Sequence, residues 1–195
     1  KELQDKGVLA NCHVNVLQTQ DHPMFKNYPQ ELKWLTTDST RMSWVANTIK
    51  DISTSGNTLI LVDRISAGEI LNKKLKDSVF ISGSTKNLER KEHYDEVSTT
   101  QNKIIIATYG VASVGINIPR IFNLVLIEPG KSFVRVIQSI GRGIRKAEDK
   151  ENVQIWDITS SCKFAKRHLG ARKKFYKEAN YPYNIEKINY ENPYT

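Results

Sequence analysis

Short apolar runs return along the chain at intervals of roughly 20–30 residues, each followed by a longer amphipathic or polar stretch. That rhythm restricts the fold more than any other feature. Thr58-Leu59-Ile60-Leu61-Val62 is apolar beyond its first residue and ends at Asp63-Arg64. A run without polar alternation fits a strand covered on both faces. Val79–Ile81, Ile104–Ala107, Leu124–Ile127 and Val153–Ile158 repeat the pattern. Strands spaced this widely, with helices between them, need crossover connections, and those connections dictate a parallel sheet. The expected class is α/β, with a parallel sheet and helices on both faces.

The intervening stretches read as helices. Asp38 or Ser39 can cap one in which Met42, Val45, Ile49 and Ile52 recur at helical spacing, with Ser55-Gly56-Asn57 closing it. Ser66 and Glu69 form a capping box ahead of Ile70, Leu71 and Leu75. A polar helix is predicted from about Asn87 to Val97, one bearing Val136 and Ile137 after Ser132, and a basic one from about Lys163 to Ala179. Cys12, Val14 and Val16 alternate with polar residues as in a half-buried strand. The stretch from Pro23 to Pro29 reads as irregular. The tyrosine-rich tail (Tyr181, Tyr183, Tyr190, Tyr194) reads as packed on the domain surface or disordered, with base stacking as the alternative. The expected division is 1–38 as a linker and first strand, 39–160 as the α/β domain, and 161–195 as a basic helix and tail.

At 195 residues and 39% hydrophobic content the chain supplies one core, not two. No run of about 18 apolar residues is present. The amino-terminal residues lack an apolar signal core, and without an initiator Met the chain reads as a fragment or a processed product. Cys12 and Cys162 stand too far apart in sequence to suggest a disulfide framework, and neither pairs with the four histidines at metal-ligand spacing.

The net charge of +8 is concentrated: residues 131–177 hold 13 Lys and Arg against four Asp and Glu. A local excess of this kind suits a polyanion. For Lys163–Lys177, including Lys173 and Lys174, a solvated helix face is an equal reading.

In a parallel sheet, ligands bind beyond the carboxyl ends of the strands. The segments to examine are therefore Asp63-Arg64, Ser82–Thr85, Thr108–Gly115, Glu128–Lys131 and the residues after Ile158. No phosphate-cradling GxxxxGK[ST] loop occurs, so the chain has no complete triphosphate site of its own. Asp95-Glu96 resembles a magnesium-holding acidic pair, but it sits in a polar helical stretch and reads as surface. The segment Gln138-Ser139-Ile140-Gly141-Arg142-Gly143-Ile144-Arg145 is richer. On a helix Gln138, Arg142 and Arg145 share one face. Guanidinium forks match phosphate oxygens, as an arginine finger requires; the alternative is a solvent-exposed basic helix end. Ile104 to Thr108 delivers a hydroxyl to the sheet edge, where it can hold a phosphate or simply shape a turn.

Taken together, these segments resemble the second RecA-like motor domain of superfamily 2 helicases. Thr58–Arg64 resembles motif IV, Ile81–Ser84 the strand-end element after it, Ile105–Pro119 motif V and Gln138–Arg145 motif VI. The sequence as a whole is similar to phage members that remodel branched DNA. The resemblance implies a RecA-like sheet and an ATP-dependent DNA helicase in the full protein, in the cytoplasm, of the host if the protein is a phage's. ATP and Mg2+ would be bound mainly by a first, P-loop motor domain in cis, leaving the isolated chain inactive. Arg142 and Arg145 would face the γ-phosphate, with Gln138 orienting them. Gly115 and Asn117 would lie near the ribose, Asn117 standing where many relatives have Asp. Arg64, Gly83, Ser84 and Thr108 would contact the backbone of DNA, or of an RNA–DNA hybrid, with weak sequence specificity. The alternative is a non-catalytic basic nucleic-acid-binding module.

Overall fold

The structure, a computed structural model, describes residues 12–85, 87–99, 102–114, 121–131, 136–137 and 153–191. Its centre is a seven-stranded sheet in the order β3-β4-β2-β5-β6-β1-β7. The strands are β1 (Cys12–Thr19), β2 (Thr58–Val62), β3 (Val79–Ile81), β4 (Ile104–Thr108), β5 (Asn123–Ile127), β6 (Val153–Ser160) and β7 (Tyr183–Ile188). Every pairing is parallel, as the crossover spacing requires.

Alternation within β2 explains why its sequence is apolar throughout. Leu59 and Leu61 pack into one core and Ile60 and Val62 into the other. The second core lies beneath α2 (Ser39–Ser53) and α3 (Ile65–Lys74), through Met42, Val45, Ile49, Ala67 and Leu71. The first lies beneath α5 (Tyr109–Ser113) and α6 (Lys163–Glu178), through Val111, Ala112, Leu169, Phe175 and Tyr176. A further helix, α4, spans Asn87–Thr99.

Three local expectations change. The stretch after Pro23 is not wholly irregular, because α1 spans Tyr28–Thr37, with the Asn27 side chain accepting from the Gln30 amide and Pro29 in the first turn. Proline there initiates a helix, since the first-turn amides have no intrahelical partner. The supposed box at Ser66 does not form: α3 starts at Ile65, its cap is Arg64, and no side chain bonds the cap. The tail after α6 supplies β7, an edge strand paired with β1. By contrast Asp38 does cap α2, accepting from the Arg41 amide at 3.0 Å.

Register aligns the carboxyl ends on one edge of the sheet. Val62 pairs with Thr108, Ile81 with Ala107, Ile127 with Ile158, and Thr19 with Ser160. α1 lies near this edge, contacting α2, α3 and α6.

Candidate nucleic-acid interface and the cleft beside it

The ends of three neighbouring strands bring together the predicted backbone-contact residues. Arg64 follows β2, Ser82, Gly83 and Ser84 follow β3, and Thr108 closes β4. Arg64 is half-buried and donates from Nε to Asp63 Oδ2 at 3.1 Å. Thr108 accepts from the Val111 amide at 3.2 Å, which fixes its rotamer at the start of α5. The turn after β3 is held by the Ser82 amide donating to Thr85 Oγ1 at 3.1 Å, by the Ser82 and Ser84 hydroxyls 3.0 Å apart, and by Arg90 Nη2 donating to the Ser82 carbonyl at 2.9 Å. Gly83 is exposed, and a β-carbon there would meet nothing within 4 Å. Its backbone is open to a ligand.

Beside this row a cleft of about 450 Å³ is lined by Tyr28, Asp63, Tyr109, Glu128, Pro129, Lys131 and neighbouring residues, with His168 of α6 against Tyr28 of α1. A buried polar network forms its floor. Arg41, on α2, is fully buried and donates to Glu128 Oε1 at 2.7 Å, the Leu35 carbonyl at 2.6 Å, Thr19 Oγ1 at 3.1 Å and the Thr159 carbonyl at 3.2 Å. One guanidinium thereby ties β1, α1, β6 and the end of β5. Glu128 adopts a left-handed backbone (φ 44°) unusual for a side-chain-bearing residue, and Thr159 Oγ1 donates to its second oxygen at 3.2 Å. Burial pushes its carboxyl up to about 7, against the pull of Arg41 and Arg172. Tyr109 OH donates to the Ile127 carbonyl at 2.9 Å. Gly130 has φ 61°, and a β-carbon there would crowd Tyr28 OH at 3.1 Å.

The basic helix is less exposed than its sequence suggested. Ala165, Leu169, Arg172, Phe175 and Tyr176 form its buried stripe, and Arg172 points inward, donating to both oxygens of Asp157 at 2.8 and 2.9 Å. The helix start is capped in trans by Glu31, which accepts from the Phe164 and Ala165 amides at 3.0 and 2.8 Å. Lys174 is exposed and Lys173 half-buried, on a different element from the strand-end row. Gly115 and Asn117, and the segment with Gln138, Arg142 and Arg145, lie outside the described residues. Among the described residues no three His, Cys, Asp or Glu are grouped to hold a metal ion, and no helix is long and apolar enough to cross a membrane.

Sequence reasoning named the strand-end segments holding Asp63, Glu128 and Lys131. It did not find Tyr28 or His168, which approach from α1 and α6 and carry no local signal.

Comparison with known proteins gives the fold and family. Residues 40–147 match the model of the helicase conserved C-terminal domain. The ATP-dependent DNA helicase UvsW of Enterobacteria phage T4 is 29% identical over 155 residues, covering 77% of this chain and 31% of that protein. The crystal structure of T4 UvsW superposes with a TM-score of 0.80 at 22% identity, over 92% of this chain and 42% of that one. Dbp5 of S. cerevisiae, bound to RNA and ADP BeF3, gives 0.61 at 16% identity over 96% of this chain and 43% of that one. This chain therefore spans under half the length of each of these relatives. The parallel sheet is RecA-like, and the chain belongs to the helicase conserved C-terminal domain family of superfamily 2 helicases.

Proposed function

We propose that this chain is the second motor domain of an ATP-dependent DNA helicase or translocase acting on branched nucleic acid. One observation carries the reading: in a member of this family, Arg64, Gly83-Ser84 and Thr108 stand at the ends of three adjacent strands on one sheet edge. A guanidinium, an open backbone and a hydroxyl in a row suit successive phosphates of one strand. The Thr108 hydroxyl accepts within its own turn and keeps its hydrogen for a phosphate oxygen.

Residues 39–160 are the body of the motor fold in this reading, 1–38 lead from a P-loop domain and supply its entry strand β1, and 161–195 add the basic helix and last strand. ATP and Mg2+ sit mainly on the P-loop domain. Arg142 and Arg145 reach the γ-phosphate when the two domains close, Gln138 orients them, and Gly115 and Asn117 border the ribose. Closure also advances the strand held at the sheet edge. Lys173 and Lys174 extend the basic track.

The test is DNA-stimulated ATPase, on this chain and on a protein that adds the P-loop domain. The chain alone should show none. Arg145→Ala in the longer protein should lower turnover by about 10³–10⁵ while sparing DNA affinity. Wild-type turnover in that variant would remove the finger role. Full DNA affinity in the chain with no ATPase after adding the P-loop domain would favour the non-catalytic binding module.

A further inference from the structure

We infer that the cleft bordered by α1 and α6, at the carboxyl ends of β2, β4 and β5, takes an unstacked nucleobase, guanine matching its polar groups best. The inference rests on the reading that a nucleic-acid strand runs along this edge of the sheet.

Topology puts the cleft where a ligand is expected. β2 is central, with β4 and β3 on one side and β5 and β6 on the other, and α3 and α5 leave β2 and β4 toward opposite faces. The crevice at such a point is the general binding position of open parallel sheets. Here, however, Asp63-Arg64 follows β2 in place of a glycine-rich loop, and the Asp63 carboxylate lines the cleft beside Glu128, whose two oxygens are already held by Arg41 and Thr159. Carboxylates accept hydrogen bonds and repel phosphate. The occupant must therefore offer N–H donors.

Two polar atoms of lining residues, Asp63 Oδ1 and His168 Nδ1, are buried and have no hydrogen-bond partner among the described residues. Such atoms are uncommon in native folds and call for a ligand or another explanation. The lining is also aromatic. Tyr28 meets His168 edge-on with centroids 4.5 Å apart, and Tyr109 contributes a second phenol ring. Burial and the nearby Lys131 and Arg172 charges lower the His168 pKa, which favours a neutral ring beside the occupant. Aromatic walls stack on any base. The polar groups discriminate: a carboxylate accepts from guanine N1–H and N2–H, and the Lys131 ammonium can donate to O6. The volume of about 450 Å³ lies in the range of small-ligand sites and is ample for a base.

Continuity with the strand-end row supplies the route. Asp63 precedes Arg64 and Tyr109 follows Thr108. The cleft thus begins one residue from two proposed phosphate contacts, and a nucleotide held there can turn its base inward.

The test measures binding of this chain to a short thymidine tract carrying one guanine, one inosine or one abasic site at the same position. Guanine should bind about tenfold more tightly than the abasic site, with inosine between them. Asp63→Asn should abolish the guanine preference, and Tyr28→Ala and His168→Ala should weaken the guanine oligonucleotide while leaving the abasic one unchanged. Thermal melts of all three establish that each is folded, and His168→Ala provides a reading independent of the Asp63–Arg64 pair. Competition by free guanosine would identify a free nucleoside as the source of the base; its absence alongside a guanine preference would identify the strand. Equal affinity for guanine and abasic tracts overturns the inference. If Arg64→Ala and Thr108→Val still weaken every oligonucleotide, the backbone reading survives that failure. If wild-type chain binds no oligonucleotide, both fall.

Discussion

Arg172 and Asp157 form a two-pronged ion pair in the interior, with Nε and Nη2 donating to the two carboxylate oxygens at 2.8 and 2.9 Å. Tyr176 OH donates to Asp157 as well, at 2.6 Å, and Arg172 Nη1 donates to the Gly130 carbonyl at 3.3 Å. The pair thus fastens α6 to β6 and to the turn after β5. The aspartate's attraction outweighs the desolvation of Arg172, so its pKa rises above the ordinary arginine value, and the group stays charged throughout.

Arg172→Met should therefore cost about 3–5 kcal/mol, because it strands a buried carboxylate without its partner. Lys174→Met, at an exposed site two positions further along the same helix, should stay within about 0.5 kcal/mol. Urea denaturation of the two variants checks the contrast. Equal, small losses would mean that the pair carries no net structural weight.

Arg41 and Glu128 hold the floor of the cleft, and their pairing has a pH signature. Burial raises the Glu128 pKa from 4.5 to about 7. The folded chain binds the proton more tightly than the unfolded chain, so this group's contribution is complete below about 4.5 and is lost as the pH rises through about 7. Glu128→Gln has no such titration. The stability difference between wild type and Glu128→Gln should move against wild type by on the order of 1–3 kcal/mol from about pH 4.5 to about pH 8. Denaturation curves at both pH values read this directly, and a pH-independent difference would contradict the raised pKa.

Two glycines in the same half of the sheet should respond oppositely to a methyl group. At Gly68 in α3 a β-carbon would overlap the tip of the Phe80 ring, whereas at Gly83 it would meet open space. Gly68→Ala should lower stability by about 1–2 kcal/mol, overpacking outweighing the gain in helix propensity. Gly83→Ala should leave stability within about 0.5 kcal/mol. Its effect should appear in DNA affinity instead, since the methyl obstructs phosphate approach to the backbone. A Gly83→Ala chain that melts normally and binds DNA normally would exclude that contact.

What the sequence made legible divides along physical lines. β2 and β5 were visible because both faces of each are buried, so their composition alone marks them. β7 was not, because it is an edge strand whose middle residues Asn184, Ile185, Glu186 and Lys187 are exposed, and pairing with β1 holds it. α1 was hidden by Pro29, read as a breaker although it stands in a first turn. The charge excess of residues 131–177 is plain in the sequence, yet it counts Arg172, which the fold turns inward. Nothing local distinguishes an arginine aimed at an aspartate 15 residues earlier from one aimed at solvent. The strand-end row was legible because topology fixes where strands end. The cleft was not, because α1 and α6 supply two of its walls from distant parts of the chain.

The same division predicts how salt should affect DNA binding. Each phosphate neutralised by a cation releases counterions, so losing one such contact should reduce the slope of log affinity against log salt by about one. Arg64→Ala should therefore weaken binding and flatten that slope. Thr108→Val removes a neutral hydroxyl, and it should weaken binding with the slope unchanged. Lys173→Glu with Lys174→Glu distinguishes the two readings of the basic helix. If α6 extends the track, affinity falls steeply at low salt and the slope drops by about two. If its outer face only meets solvent, affinity follows wild type at every salt concentration, and the polyanion contact is confined to the strand-end row. Fluorescence anisotropy titrations across a salt series measure all three variants on one scale. A Thr108→Val chain with a flattened slope, or an Arg64→Ala chain with a wild-type slope, would reassign which of the two residues meets a phosphate.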